Sequence, residues 1–211
     1  MAVTILVTGF GPFPGAPFNP TGPLVQRLAR LRRPSLADVK IVGYVFPTSY
    51  AAVDRDLPRL IARHKPDALL MFGLAPQAKA IRIETRARNT VALLPDAGRA
   101  ALNRRAIAAG SPGTKALPAP ARALLAAARA ARVPAALSHD AGRYLCNYLC
   151  WRAAEAAAKP GGPQAAAFIH VPRVRRTPVP RARVKKRLLT PADLARAGGA
   201  MLTAIAVSAR R

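Results

Sequence analysis

Short apolar runs rich in β-branched residues alternate along this chain with segments of helical period, and that alternation admits few folds. Residues 3–8, ended by Gly9, and residues 39–46, ended by Pro47, read as strands. Between them a Gly- and Pro-rich stretch, 8–23, leads into Leu24, Val25, Leu28 and Leu31, which recur at helical spacing against Arg27, Arg30 and Arg32. Residues 67–72 read as a strand whose apolar run suits burial on both faces, after a helix over 49–65 that Pro58 must kink or split. Residues 80–90 have period two, with Ile81, Ile83, Thr85 and Ala87 on one face and Arg82, Glu84, Arg86 and Arg88 on the other, and read as a less buried strand. Residues 94–118 read as a long loop with room for one helical turn, the kind that is functional or mobile in a compact domain.

The alternation then resumes with a helix over 119–132, a strand over 133–137, a helix over 144–159 and a strand over 165–171 stopped by Pro172. Thr190 and Pro191 supply an N-cap and a first-turn proline for a last helix to about Ser208. The order predicts a single α/β domain over residues 1–211: an open, twisted, mostly parallel sheet with helices on both faces, in three α/β/α layers. A basic loop over 173–190 is expected within it.

At 211 residues the chain is long enough to bury a core without metal or disulfide staples, and a hydrophobic content of 51% excludes a disordered one. Thirty-four Lys and Arg face nine Asp and Glu, a net charge of +25. That surplus predicts nonspecific contact with polyanions, although Arg spread along an Ala-rich chain fits compositional drift as well. The amino terminus lacks the pattern of a secretory signal, and no uncharged apolar stretch reaches the roughly 18–20 residues of a membrane span. The expected setting is cytoplasmic, away from membranes. Cys146 and Cys150 match neither a C-x-x-C pair nor half of a zinc site and read as free thiols.

Ligands of open α/β sheets sit beyond the carboxyl ends of the strands. Three polar residues fall where such a site could form: Cys146 in the first turns of its helix, His170 near the end of an apolar strand, and Glu84 late in its own. A cysteine near a helix N-terminus feels the positive end of the dipole, and a histidine beside it makes it a nucleophile. Each also has a plain structural reading: a core thiol, a satisfied core histidine, a surface ion pair. Asp140 rivals Glu84 as the partner of the imidazole, though its place just before a helix suits an N-cap. Cys150, one turn beyond Cys146, reads as core.

Four local words bear on these residues: Val7-Thr8-Gly9-Phe10-Gly11-Pro12-Phe13 followed by Asn19-Pro20-Thr21; Gly73-Leu74-Ala75 leading to Glu84 and Asn89; Asp140-Ala141-Gly142-Arg143-Tyr144-Leu145-Cys146-Asn147; and Phe168-Ile169-His170-Val171-Pro172. In this order and at these separations the set resembles type I pyroglutamyl peptidase, over essentially the whole chain. The resemblance implies a cysteine peptidase that removes N-terminal pyroglutamate from peptides and needs no metal and no cofactor. It implies Cys146 as nucleophile, His170 as general base and acid, and Glu84 as the carboxylate that orients the imidazole. Phe10, Phe13 and Tyr144 match positions lining the lactam pocket, and Asn19 a position near it. Without the resemblance, Phe10 and Phe13 read as packing of a Gly/Pro-rich loop.

The chain also departs from that pattern. Leu74 stands where a polar Gln is common, which removes one candidate contact to the lactam, and Thr85 stands where an Arg often follows the Glu. Eight Lys and Arg with no acid occupy residues 173–187. That cluster supports a different function, a family scaffold that binds RNA or another polyanion, but no aromatic residue interleaves it to stack on bases. A homo-oligomer is compatible with either reading.

Overall fold

The computed structural model describes residues 2–13, 15–175 and 188–210. In chain order the elements are β1 (Val3–Phe10), α1 (Thr21–Ala29), β2 (Val39–Phe46), α2 (Tyr50–His64), β3 (Ala68–Leu74), β4 (Ile81–Glu84), β5 (Arg86–Arg88), β6 (Thr114–Ala116), α3 (Ala121–Ala130), β7 (Ala135–Ser138), α4 (Leu145–Ala157), β8 (Ala165–Val171) and α5 (Pro191–Ala209). Six strands form one sheet in the order β2-β1-β3-β8-β4-β7. The first four in that order are parallel, β4 runs antiparallel to β8, and β7 follows the sense of β4.

Strand alternation sorts the side chains into two cores. Ile5, Val7, Leu70, Phe72, Ile83 and Ile169 point to the face covered by α1, α3 and α5, while Leu6, Leu69, Met71 and Phe168 point to the face covered by α2 and α4. The result is a mostly parallel α/β sheet with helices on both sides, as the alternation predicts. Every residue of β3 and of β8 is buried. Each large apolar side chain placed there contributes about 1.5–3 kcal/mol, so a polar one needs a partner to compensate. His170 is that exception in β8. Helix α5 begins as expected: Thr190 Oγ1 accepts from the Asp193 amide at 3.1 Å and Asp193 Oδ2 accepts from the Thr190 amide at 3.0 Å, a capping box.

Several expectations need correction. The single strand expected over 80–90 breaks at Thr85: β4 belongs to the main sheet, whereas β5 leaves it and pairs with β6 in a separate two-stranded ribbon. Nor is β4 less buried, since it lies between β8 and β7 and Ile81, Ile83 and Glu84 are fully enclosed. The long loop over 94–118 carries the strand β6 and no helical turn. Helix α2 runs unsplit through Pro58. Of the basic loop expected over 173–190, residues 176–187 lie outside the described residues.

Candidate active site

Helix α4 opens on residues that leave its first turn uncapped. Its N-cap is Tyr144, in extended conformation and with no side-chain bond to the helix. Asp140 does not fill that role: its carboxylate accepts from the Gly142 amide at 3.0 Å in its own turn and faces Arg88 at 3.6 Å. Cys146, in that first turn and half-buried, therefore sits at the positive end of the helix with no acidic side chain in the turn.

Its sulfur rests against β3. A Cβ on Gly73 would stand 2.8 Å from Cys146 Sγ and 2.6 Å from Phe168 Cζ, closer than any side chain tolerates. Gly73 pairs in register with His170 on β8, so the missing side chain brings the thiol over the sheet beside the imidazole. His170 Nδ1 lies 2.8 Å from Glu84 Oε1, which leaves Nε2 for the sulfur. Burial pulls the imidazole pKa down, but the charge of Cys146 and the hydrogen bonds to Cys146 and Glu84 outweigh it and raise the value to about 9. At neutral pH the favoured state of His170 is the imidazolium.

Glu84 reaches this position by an unexpected route. Because β4 is antiparallel to β8, its carboxyl end points away from the end of the sheet where the ligand cleft is expected. Glu84 stands opposite Phe168, two pairs below His170 on the same face of the sheet, and is fully buried. It meets the imidazole from beneath, and its Oε2 has no hydrogen-bond partner among the described residues. Arg82, near the start of the same strand, is the residue brought level with His170.

A cavity of about 450 Å³ opens over this group, within the size range of small-ligand pockets. Phe10, Phe13, Asn19, Leu74, Tyr144, Cys146 and His170 all line it, so the structure brings together every site residue named above, with Glu84 behind His170. Phe10 packs on Phe46 with ring centroids 6.0 Å apart. Tyr144 stacks edge-on with Tyr50 and donates from its hydroxyl to the Pro95 carbonyl at 2.9 Å. The Asn19 amide is engaged in the loop itself: Nδ2 donates to the Gly11 carbonyl at 3.0 Å, and Oδ1 accepts from the Thr21 amide and hydroxyl. Cys150 is fully buried, and its thiol is pushed well above the ordinary range by that burial.

Sequence reasoning missed Thr48, Gly73, Arg82 and Arg143. Thr48 lines the cavity and donates to the Gly11 carbonyl at 3.1 Å. Its place just past β2, at the carboxyl end of a parallel strand, was a usable signal. Arg82 carried none, because a period-two pattern does not encode strand direction. A second cavity, of about 380 Å³, lies between α2 and the end of α4 around Leu57, Pro58 and Lys159 and holds none of these residues.

Comparison with known proteins agrees with this arrangement at the level of the chain. Residues 3–197 match the family model described as pyroglutamyl peptidase. The pyrrolidone-carboxylate peptidase of Pyrococcus furiosus is 32% identical over 169 residues, which cover 80% of each chain. Pyrrolidone-carboxylate peptidase 1 of Ralstonia nicotianae is 34% identical over 171 residues, 80% of this chain and 78% of that one. Among solved structures, the pyrrolidone carboxyl peptidase from Thermococcus litoralis superposes with a TM-score of 0.86 at 26% identity, covering 99% of this chain and 96% of that one. With the family match spanning nearly the whole sequence and the fold shared end to end, the chain belongs to the pyroglutamyl peptidase family.

Proposed function

We propose that this protein is a cysteine peptidase that cleaves N-terminal pyroglutamate from peptides, with Cys146 as nucleophile, His170 as acid and base and Glu84 as the group that orients His170. The observation that carries the reading is the line Glu84–His170–Cys146, with His170 and Cys146 lining a cavity that has one uncharged, aromatic end and Glu84 behind the imidazole. The Cys146 thiolate attacks the pyroglutamyl carbonyl carbon. As the C–N bond breaks, the electron pair goes to nitrogen and the His170 imidazolium protonates the departing amine. The neutral imidazole then takes a proton from water, which attacks the thioester, and pyroglutamate leaves as the sulfur is restored. A lactam brings no charge into the walls of Phe10, Phe13 and Tyr144, whereas an N-terminal glutamate brings both an ammonium and a carboxylate that those walls leave unpaired.

Release of a fluorescent amine from a pyroglutamyl amide tests the assignment, with glutamyl and prolyl amides as controls. Wild type is expected to cleave the pyroglutamyl substrate alone. Cys146→Ser should abolish release and Cys150→Ser should keep most of it. Equal loss in the two variants, or comparable cleavage of the glutamyl amide, would reject the reading.

A further inference from the structure

The wall of the cavity changes character across the sheet. Over β1 and β3, and at the end of β2, it is uncharged, formed by Phe10, Phe13, Thr48 and Leu74. Over β4 and the turn that follows β7 it is charged, formed by Arg82, Asp140 and Arg143. The sulfur over Gly73 on β3 and the imidazole on β8 lie between these ends, because β8 separates β3 from β4. An acyl group seated at the uncharged end therefore directs its leaving group toward β4.

The charges at that end are not balanced. Arg82 stands level with His170 on the same face of the sheet, and its side chain is exposed. Neither its guanidinium nor that of exposed Arg143 has an acceptor or an ion-pair partner among the described residues. Asp140, the one carboxylate among the described residues that line the cavity, faces Arg88 and the Gly142 amide. An adjoining groove, which shares Leu74 with the cavity, is lined by a third exposed arginine, Arg173, that has no partner among the described residues. A guanidinium with no protein partner keeps its fork of donors available for a carboxylate, to which it binds in two-point geometry.

We infer that Arg82 and Arg143 select the leaving peptide, favouring substrates that carry a carboxylate just beyond the scissile bond. The inference rests on the cysteine-peptidase reading above and adds a specificity to it. The carboxylate can come from an Asp or Glu side chain or from the C-terminus of a dipeptide. Two exposed charge pairs at the usual strength of such contacts multiply to a preference of about tenfold at low salt. Lysine at the same position meets like charge and is disfavoured.

The test compares kcat/KM for four substrates: the amides of pyroglutamyl-Asp, pyroglutamyl-Ala and pyroglutamyl-Lys, and pyroglutamyl-Ala as the free acid. Each is measured on wild type, Arg82→Gln/Arg143→Gln, and the charge-retaining Arg82→Lys. Wild type should rank Asp over Ala over Lys, with the Asp/Ala ratio near tenfold at low salt and falling toward one at about 0.5 M salt as screening shortens the field. The ratio should flatten in the double Gln variant and survive largely intact in Arg82→Lys. An advantage of the free acid over its amide that disappears in the double Gln variant assigns the contact to a C-terminal carboxylate, whereas an effect confined to Asp assigns it to the side chain. Equal rates across the wild-type series, or a ratio that persists in the double Gln variant, overturns the inference and leaves the peptidase reading standing. If wild type releases nothing from any of the four, the peptidase reading fails and this one fails with it.

Discussion

His170 feels opposing influences, and their balance sets a pH window. The imidazole pKa rises from 6.5 to about 9 despite burial, because Cys146 and Glu84 favour its charged form. A group whose folded pKa is raised contributes stability in full below its unfolded value and loses it as pH climbs through the folded one. The contribution of His170 is thus complete below about 6.5 and fades as pH passes about 9. Under the proposed mechanism turnover should follow the same alkaline limb, because deprotonation removes the proton meant for the leaving amine. The pH–rate profile of wild type checks this, and Glu84→Gln should move that limb to lower pH. His170→Ala should lose about 10²–10⁴ in kcat, Glu84→Gln should fall between it and wild type, and the double variant should resemble His170→Ala. Sequence alone left Glu84 and Asp140 as rivals, since distance along the chain does not say which carboxylate faces the ring. The structure places Glu84 on His170 and leaves Asp140 largely exposed in a turn.

At the level of elements, the site depends on a close approach between α4 and β3. Gly73→Ala would press a methyl group onto Cys146 Sγ and Phe168. Phe168 is fully buried whereas Cys146 is only half-buried, so the sulfur is the atom expected to move. A displacement of about 1 Å at a reacting atom costs on the order of 10² in rate. The expected result is a folded variant with unchanged circular dichroism, a kcat lower by about that factor and a smaller effect on KM. Strands buried on both faces were legible in the sequence because their apolar runs end at Gly or Pro; β8 matched residue for residue. Residues 80–90 misled because their alternation continues without interruption while the chain crosses from the main sheet into the β5–β6 ribbon. Asn147 secures that crossing from the α4 side: its amide donates to the Arg88 and Thr90 carbonyls and accepts from the Arg88 amide, all at 2.8 Å. Contacts of this kind, between residues about 60 positions apart, leave no periodic trace.

For the molecule as a whole, the net charge of +25 and the cluster of eight Lys and Arg over residues 173–187 set a long-range field, whereas the Cys146–His170–Glu84 group works at contact distance. Salt should separate the two. Binding to a generic RNA should be lost between about 50 and 200 mM salt, over which several phosphate contacts forfeit about 10³–10⁵ in affinity, while turnover of a neutral pyroglutamyl amide should hardly change. Titration calorimetry and the amide assay, run over the same salt series, check both halves. The strand order carries a consequence of another kind, for the time at which Cys146 and His170 come together. Among the described residues β8 is the last strand in chain order, yet it enters the middle of the sheet, between β3 and β4. Until it docks, β2-β1-β3 and β4-β7 are two half-sheets with no ladder between them. A nascent chain that ends before Ala165 already contains Cys146, Glu84 and the aromatic walls, but lacks the imidazole. The strand that joins the halves also carries His170, so the thiol meets the imidazole proposed as its base only in the step that completes the sheet.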